Sequence, residues 1–414
     1  MKIGMIGLGK LGLPVILGIE SKGHEVMGFD INPDIATYLK ERKIPFKEEG
    51  LQPLLDKTEL KLASNIDEVV KWADIVFCAI QTPHEAKFEG STRIPKERKD
   101  FDYTFIKKAI TEVAKSAKAN KKHTYLVLIS TCLPGTYTRE IEPTLNEYVH
   151  YAYNPFFIAM GTVLKDFFDP EFVLIGTSYG EFFGDYVPDF HLERFYETIH
   201  DKDCLNTDIT TAEAIKVSYN TFITTKTVLA NLWGEIAHKT GANVDDIFRA
   251  WEMSTDRLMS SRYLKAGMGD GGGCHPRDNI ALSYIAKEIG LSFNYFEALM
   301  EARENHADWL ASVISDAVDA TGYPVILLGK SFKPETDIQT GSPAILLANL
   351  LGERNIPYIH VGEHDEGVEG KCIYFIATQH AKYNRPYVKG SVVIDPFGYI
   401  EDQPGVDVIR IGRP

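Results

Sequence analysis

The first thirty residues constrain the fold of this 414-residue chain more than any other stretch. An apolar strand pattern at residues 3–6 is followed by Gly-Leu-Gly-Lys-Leu-Gly at 7–12, a helical stretch, and a second strand pattern at 25–29 that ends at Asp30. A glycine run alone is a weak signal, but strand, glycines, helix, strand and terminal acid in one βαβ unit are strong evidence for a dinucleotide-binding fold. The alternative is an α/β domain whose glycines only form a turn.

This unit predicts NAD as the cofactor. The pyrophosphate is expected at the N-terminus of the first helix, where glycines allow close approach. Asp30 would bond the ribose hydroxyls and repel a 2′-phosphate, which favours NAD over NADP. The cofactor contacts predicted here are Gly7, Gly9, Lys10, Leu11, Gly12 and Asp30.

Further strand patterns at residues 74–80, 125–130 and 172–175 alternate with helical patterns, which predicts a doubly wound parallel sheet. Ligands of such sheets gather at the carboxyl ends of the strands, where Thr82, Pro83 and Thr131 fall. We expect all three to contact the cofactor, and Thr131 also to supply an active-site hydroxyl. Alternatively, Thr131 only caps the turn that follows.

Composition excludes several classes of protein. With 44% hydrophobic and 25% charged residues, the chain is typical of a soluble globular protein of two or three domains. It has no run apolar enough to span a bilayer and no basic signal-peptide start, so we predict a cytoplasmic location. The five cysteines are odd in number and scattered, which indicates thiols rather than disulfides. A net charge of −14 argues against nucleic-acid binding, and no metal site is predicted.

Residues 208–240 are predicted to form one long helix with an apolar stripe, ending before Gly241. Thirty helical residues extend about 45 Å, longer than a small domain needs. We therefore expect the helix to join two domains and to offer a homodimer surface. Lys216 and Asn220 lie one turn apart on it, so an ammonium and an amide share one face; alternatively, they are a solvated surface pair.

A glycine-rich stretch at residues 267–273 leads into Cys274, with Pro276 at the expected start of a helix over 276–289. The N-terminus of a helix favours a thiolate, so we predict that Cys274 is a nucleophile. Asp278 lies about one turn further on and is expected to share the pocket of the thiol. The alternative is a glycine-rich turn before a buried structural cysteine.

A second α/β pattern begins at Tyr323, with strands near 325–329, 358–361, 373–377 and 392–394 and a helix over 343–351. The chain is thus predicted to be an α/β protein with two Rossmann-like doubly wound domains joined by the long central helix. The loop after the first of these strands presents Lys330 and Lys333, which could bind phosphates. Alternatively, it is a hydrated surface loop.

Together these motifs resemble the UDP-glucose/GDP-mannose dehydrogenase family, almost from end to end. The resemblance rests on Ile-Gly-Leu-Gly-Lys-Leu-Gly-Leu-Pro at 6–14, the Lys216-x-x-x-Asn220 pair, Arg257 followed by the segment 267–278, and Phe-Lys-Pro, Thr-Asp and Ser-Pro between 332 and 343. It implies an NAD-binding domain at 1–200, a central dimerisation region with the cysteine at 201–305, and a nucleotide-sugar-binding domain at 306–414.

The resemblance also implies a reaction, the four-electron oxidation of a nucleotide-sugar C6 alcohol, with UDP-glucose as the expected substrate. Cys274 would form a thiohemiacetal and then a thioester. Lys216 and Asn220 would stabilise oxyanions, and Asp278, helped by Thr131 and water, would accept protons. The substrate contacts implied are Lys216, Asn220, Arg257, Tyr263, Gly271, Phe332 and Lys333, and the last of these is also expected at the cofactor.

The chain departs from the family pattern at three places. A segment that has two glutamates in the family, P-E-F-L-(R/A)-E-G, reads Pro-Phe-Phe-Ile-Ala-Met-Gly at 155–161, with Phe156 and Met160 in place of the acids. Thr340 replaces a cofactor-facing arginine, and residues 395–398 read Asp-Pro-Phe-Gly instead of a D-G-R loop. These departures leave two alternatives to a UDP-glucose dehydrogenase. The first is a dehydrogenase for another nucleotide sugar, such as GDP-mannose or a UDP-N-acetylhexosamine, and the second is a non-catalytic relative that binds NAD or a nucleotide sugar.

Overall fold

The chain divides into two compact units, Met1–Lys226 (unit 1) and Thr227–Pro414 (unit 2). The structure, a computed structural model, describes residues 1–83, 96, 99–178, 190–260, 266–269, 274–334, 336, 338–362, 365 and 370–412. None of the helices in these ranges is long and apolar enough to cross a membrane.

Unit 1 contains a sheet of eight strands among its described residues. The strands are β1 (Lys2–Ile6), β2 (Glu25–Phe29), β3 (Lys61–Leu62), β4 (Ile75–Cys78), β5 (Thr124–Leu128), β6 (Val149–Tyr153), β7 (Val173–Thr177) and β8 (Cys204–Asp208). Their order is β3-β2-β1-β4-β5-β6-β7-β8. Strands β4 and β5 are buried at every residue, as expected for central strands covered on both faces.

Helices cover both faces of this sheet. They are α1 (Gly12–Ser21), α2 (Asp34–Glu41), α3 (Leu51–Leu55), α4 (Ile66–Trp72), α5 (Thr104–Asn120), α6 (Val163–Phe168), α7 (Phe190–Glu197) and the start of α8 (Ile209–Thr240). One apolar cluster contains α1 residues such as Leu13, and a second contains α5 residues such as Ile110. The predicted doubly wound α/β architecture is confirmed.

The predicted parallel direction is wrong for β7, and β8 was not predicted as a strand. Strand β7 pairs with β6 in the antiparallel sense, and β8 pairs with β7 in the parallel sense. Both strands therefore run opposite to β1–β6. Burial on both faces determines the apolar pattern of a strand, and that pattern is the same for either direction.

Unit 2 contains the second half of α8, then α9 (Val244–Met253), α10 (Cys274–Glu288), α11 (Tyr295–Thr321) and α12 (Pro343–Glu353). Its strands are β9 (Val325–Leu328), β10 (Tyr358–Val361), β11 (Ile373–Ile376), β12 (Val392–Asp395) and β13 (Asp407–Arg410). They form a parallel sheet in the order β10-β9-β11-β12-β13. Residues of α11 and α12 pack on one face of this sheet.

Two predicted helix starts shift in the structure. Helix α8 begins at Ile209, because Asp208 ends β8 and its carboxylate accepts a hydrogen bond from the Thr211 amide at 2.9 Å. Helix α10 begins at Cys274, two residues before the predicted start at Pro276. The cysteine is therefore the first residue of the helix and does not precede it.

Candidate functional site

The glycine fingerprint of unit 1 has the geometry that a bound dinucleotide requires. Gly7 has φ +95°, and a Cβ atom there would lie 2.9 Å from the Ala79 oxygen. A Cβ atom on Gly12 would lie 1.9 Å from the Gly7 oxygen, so both glycines are required by the fold. Beside Gly9 no atom of the described residues lies within 4 Å of such a Cβ position, which leaves its backbone open to a ligand.

Asp30 joins the end of β2 to this glycine loop. Its Oδ2 atom accepts a hydrogen bond from the Leu8 amide at 2.6 Å, and its Oδ1 atom accepts one from the Asn32 amide at 2.8 Å. Helix α1 has no side-chain cap at Leu11, so no side chain there competes with an anion for the amides at its N-terminus. These residues fit an NAD pyrophosphate and ribose, with Lys10 exposed beside them.

Hydrogen bonds join the segments that follow β4 and β5. The Thr82 hydroxyl donates to the Thr131 main-chain oxygen at 3.3 Å. The neighbouring Ser130 hydroxyl donates to the Ile80 oxygen. Pro83 accepts a bond from the Asp102 amide at 3.0 Å. Residues 84–100 are rich in Lys, Arg and Glu and lack periodicity, so their sequence predicts a solvated loop; residues 84–95 lie outside the described part of the chain.

Lys216 is a buried cation on α8. The residue is only 7% exposed, and its Nζ atom donates a hydrogen bond to the Phe156 main-chain oxygen at 2.7 Å. The same ammonium lies 4.8 Å from the centroid of the Phe157 ring. Burial lowers the pKa of Lys216 from its ordinary value. The alternative of a solvated surface lysine is therefore wrong, whereas Asn220, one turn later, is exposed.

The departure at 155–161 contributes main-chain groups to this region. Phe156 packs against the apolar cluster that contains α1, while Met160 is 65% exposed. The Gly161 amide donates to Glu48 Oε2 at 3.1 Å, and the Ala159 amide donates to Asp166 Oδ2 at 2.8 Å. The carboxylates of Glu48 and Asp166 thus fix the backbone of this segment by accepting hydrogen bonds from its amides.

In unit 2 the candidate nucleophile Cys274 starts α10. Asp278 lies on the first turns of the same helix, is exposed, and pairs with Arg277 at 2.9 Å. His275, the neighbour of Cys274 in sequence, is exposed. Arg257 is also exposed, and the predicted substrate contacts Tyr263 and Gly271 lie outside the described residues.

The glycines before the cysteine approach the chain's own C-terminal part. A Cβ atom on Gly267 would lie 2.8 Å from Cδ1 of Phe397, and one on Gly269 would lie 2.0 Å from Cγ of Pro343. Met268, between them, packs against the apolar cluster that contains α11 and α12. Glycines in front of a reactive cysteine are also expected where a ligand approaches the backbone closely. For Gly267 and Gly269 the structure gives a packing reason instead, and only the three-dimensional contact reveals it.

The lysines of the loop after β9 have different surroundings. Lys330 pairs with Asp365 at 3.0 Å, whereas the Lys333 ammonium is exposed and lies 5.5 Å from the centroid of the Phe332 ring. Between the two lysines the buried Ser331 hydroxyl lies 2.8 Å from His380 Nε2. Sequence reasoning missed this pair, because the two residues are far apart in the chain and neither belongs to a recognised motif.

Known proteins match this chain over most of its length. The family model described as "UDP-glucose/GDP-mannose dehydrogenase family, NAD binding domain" matches residues 1–199. The model of the central domain of the same family matches residues 210–305. A UDP-glucose 6-dehydrogenase of Bacillus subtilis is 30% identical over 363 residues, which are 85% of this chain and 77% of that protein. A GDP-mannose 6-dehydrogenase of Pseudomonas syringae is 27% identical over 420 residues, 95% of this chain and 90% of the relative.

A solved structure agrees with the fold. The GDP-mannose dehydrogenase of Pseudomonas aeruginosa, determined as a ternary complex, superimposes with a TM-score of 0.84 at 22% identity, over 99% of each chain. The match to the family's NAD-binding domain and the geometry of the glycine fingerprint identify the cofactor as NAD. The chain belongs to the UDP-glucose/GDP-mannose dehydrogenase family of NAD-dependent nucleotide-sugar dehydrogenases.

Proposed function

We propose that this enzyme oxidises the C6 alcohol of UDP-glucose to the carboxylate of UDP-glucuronate, through a covalent intermediate on Cys274. The observation that supports this most strongly is the buried ammonium of Lys216. A cation held at a fixed position, with little solvent around it, stabilises negative charge on oxygen much better than one in water. Alcohol-to-acid oxidation develops such charge repeatedly, on the alkoxide and on each tetrahedral intermediate.

Each residue has a defined task in the proposed chemistry. Lys216 and Asn220 donate hydrogen bonds to the substrate oxygen. Asp278, helped by Thr131 and water, accepts the proton of the alcohol. NAD, when bound, accepts one hydride in each of the two oxidations.

The aldehyde formed first is proposed to react with Cys274. The thiolate adds to the aldehyde carbon and forms a thiohemiacetal, whose oxidation gives a thioester. Water then cleaves the thioester, which releases the carboxylate and restores the thiol. The N-terminus of α10 favours the thiolate, because helix amides and the helix dipole stabilise an anion there.

The three-part division remains part of this proposal. Residues 1–200 bind NAD, residues 201–305 form the central region, and residues 306–414 bind the nucleotide part of the substrate. In the last part, Phe332 and Lys333 offer a ring and an exposed ammonium at the carboxyl end of β9, groups suited to a nucleoside diphosphate. Arg257, Tyr263 and Gly271 are the further proposed substrate contacts.

Thioester cleavage is expected to be slow in this enzyme. Phe156 and Met160 take the positions where the resembling family has glutamates, and neither side chain can activate water. The loss of one proton-transfer group typically costs about a hundredfold or more in rate. The thioester on Cys274 should therefore accumulate during turnover.

We also propose a homodimer that uses helix α8. In the isolated chain its middle, residues 218–228, is mostly exposed and includes Phe222 at 51%, Ile223 at 49% and Val228 at 47% exposure. Large apolar side chains so exposed on one stretch of helix are typical of a surface that another protein covers. A second copy of α8 offers the matching apolar stretch.

The function is tested by measuring NADH production with UDP-glucose, GDP-mannose and UDP-N-acetylhexosamines. We expect UDP-glucose to give two NADH per sugar, and intact-protein mass spectrometry to find an adduct on the protein. Cys274→Ser should block the step from aldehyde to acid but keep NAD binding, because a hydroxyl is a far weaker nucleophile than a thiolate. A preference for another sugar would correct the substrate, and binding without NADH from any sugar would refute an enzymatic function.

A further inference from the structure

Helix α8 has a second buried charged residue, Glu213, which the proposed reaction does not use. It is 1% exposed and lies three positions before Lys216, so the two side chains are neighbours along the helix. Glutamate is seldom fully buried, because removing a carboxylate from water is costly unless hydrogen bonds replace the lost hydration.

The Glu213 carboxylate is bonded to the segment that follows β5. Its Oε2 atom accepts a hydrogen bond from the Gly135 amide at 2.7 Å, and its Oε1 atom accepts one from the Tyr137 amide at 2.8 Å. These amides lie at the start of a short π-helical turn, Tyr137–Ile141. Both oxygens are thus engaged by one stretch of main chain, which fixes the position of that stretch relative to α8.

Two tyrosines hold the earlier part of the same segment. The Cys132 amide donates to the Tyr153 hydroxyl, and the Leu133 amide donates to the Tyr103 hydroxyl, both at 3.2 Å. Thr131 lies directly before these residues. The segment that follows Thr131 is therefore held by the body of the domain, through the tyrosines, and by α8, through Glu213.

The buried charge is a costly way to hold a loop. Burial raises the pKa of Glu213, while the amides of Tyr137 and Gly135, and more weakly the Arg139 guanidinium, favour the charged form. Apolar side chains of similar volume usually stabilise a protein interior at least as well as buried charges do. A carboxylate, unlike an apolar side chain, fixes the position of the backbone it contacts. One rigid group that accepts two hydrogen bonds allows the bonded amides little displacement.

We infer that Glu213 is a positioning residue, which fixes the Thr131 segment against the turn of α8 that contains Lys216. The inference rests on the proposed function, in which Thr131 and Lys216 act on the substrate. Misplacing reacting groups by about 1 Å can cost roughly a hundredfold in rate. Loss of the Glu213 contacts should therefore lower kcat more than it weakens NAD binding, since most of the predicted cofactor contacts lie in the glycine fingerprint and not in this segment.

Glu213→Gln is the sharpest variant, because its shape is unchanged but its NH2 group faces an amide that needs an acceptor. Glu171→Gln is the matched control. Glu171 Oε2 also accepts a bond from a residue of α8, the Tyr219 hydroxyl at 3.0 Å, but it is exposed and bonds to a different part of the helix. We expect kcat to fall about tenfold to a hundredfold in Glu213→Gln, with a smaller change in NAD affinity, and to stay near wild type in the control.

A double variant separates positioning from general loosening. If Glu213 acts through Thr131, Glu213→Gln should cost much less in a Thr131→Ala background than in wild type. If Glu213→Gln lowered kcat by the same factor in both backgrounds, the inference would be overturned. An unchanged kcat in Glu213→Gln alone would also overturn it. Should Glu213→Gln fail to fold, Glu213→Asp keeps the charge but shortens the side chain, and the same criteria apply to it.

Hydrogen exchange provides a readout that does not depend on turnover. In Glu213→Gln the peptide that covers residues 132–137 should exchange faster than in wild type, whereas the control should not change it. Unchanged exchange would overturn the inference even if wild type proved inactive on every nucleotide sugar. Absence of NADH in wild type together with faster exchange in the variant would refute the proposed reaction but keep the structural contact.

Discussion

The ammonium group of Lys216 on α8 donates a hydrogen bond to the main-chain oxygen of Phe156 at 2.7 Å, and the two residues lie 60 positions apart in the sequence. The contact uses a backbone atom, so it does not depend on which side chain occupies position 156. Lys216→Met should keep the fold but remove the stabilising charge. We expect kcat to fall about a hundredfold to a thousandfold, the loss typical of one oxyanion donor, with unchanged NAD affinity. Ser218→Ala, an exposed change on the same helix, should leave steady-state rates near wild type.

The lowered pKa of Lys216 predicts how stability depends on pH. Between its lowered pKa in the folded state and its ordinary value of 10.5, the unfolded chain binds a proton that the folded chain does not. Stability from this group therefore rises with pH in that window. The free energy of unfolding of wild type, measured relative to Lys216→Met, should shift in favour of wild type as pH rises from neutral towards 10. A difference that is independent of pH in urea titrations would contradict the prediction.

Asp30 is expected to set the preference for NAD over NADP. Asp30→Asn keeps an oxygen that can accept from the Leu8 amide but removes the charge that would repel a 2′-phosphate. We expect the ratio of kcat/KM for NADP to that for NAD to rise at least about tenfold, the effect of roughly 1.4 kcal/mol. Glu41→Gln, at the end of α2, is the control for the loss of a carboxylate in the same unit of the chain. Comparable use of both cofactors by wild type would refute the role of Asp30.

Phe222 tests the proposed dimer. Phe222→Glu places a charge in the exposed apolar stretch of α8, and it should shift light scattering from dimer to monomer at micromolar concentration, since burying an unpaired charge in an interface is costly. Phe105→Glu changes a phenylalanine that is equally exposed, at 50%, on α5. The control should keep the wild-type mass. A monomeric wild type would rule out the interface.

The Gly267–Phe397 contact predicts a compensating pair of changes. Gly267→Ala should destabilise the protein by about 1–3 kcal/mol, because its Cβ atom would meet the Phe397 ring at 2.8 Å. It should also slow the oxidation of the aldehyde, since this stretch leads to Cys274. Adding Phe397→Ala should recover part of both losses. Gly352→Ala, which has open space in α12, should not destabilise, and additive effects of the first two changes in urea titrations and rate assays would contradict the prediction.

Features determined by local sequence could be predicted, and features determined by distant contacts could not. The fingerprint from Gly7 to Asp30 was confirmed, because tight turns, helix starts and strand ends depend on neighbouring residues. Lys216 and Asn220 were correctly placed on one long helix, but sequence periodicity left the burial of Lys216 open. The acceptor Phe156 belongs to a distant loop, so only the folded chain shows that contact.

Strand direction and the glycines show the same limit. An apolar run predicts a buried strand, yet β7 has this pattern and runs against β6. A glycine indicates close approach without telling what approaches, and at Gly267 the neighbour is Phe397. Glu213 was overlooked because a single acidic residue on a helix has no pattern, and its significance comes from two amides that lie more than seventy residues earlier, at separations of 78 and 76.

The register of β7 and β8 sets the place where the next helix begins. Strand β7 meets β6 only at the Gly176–Tyr153 pair, at the carboxyl end of β6, and β8 follows β7, so α8 begins near the carboxyl ends of β5 and β6, with Ile209 and Ala212 buried. The number of residues between Asp208 and Glu213 therefore determines where the Glu213 side chain lies. One inserted residue would rotate every later side chain by about 100° and shift it by about 1.5 Å. This stretch should accept many substitutions over evolution, but neither insertions nor deletions.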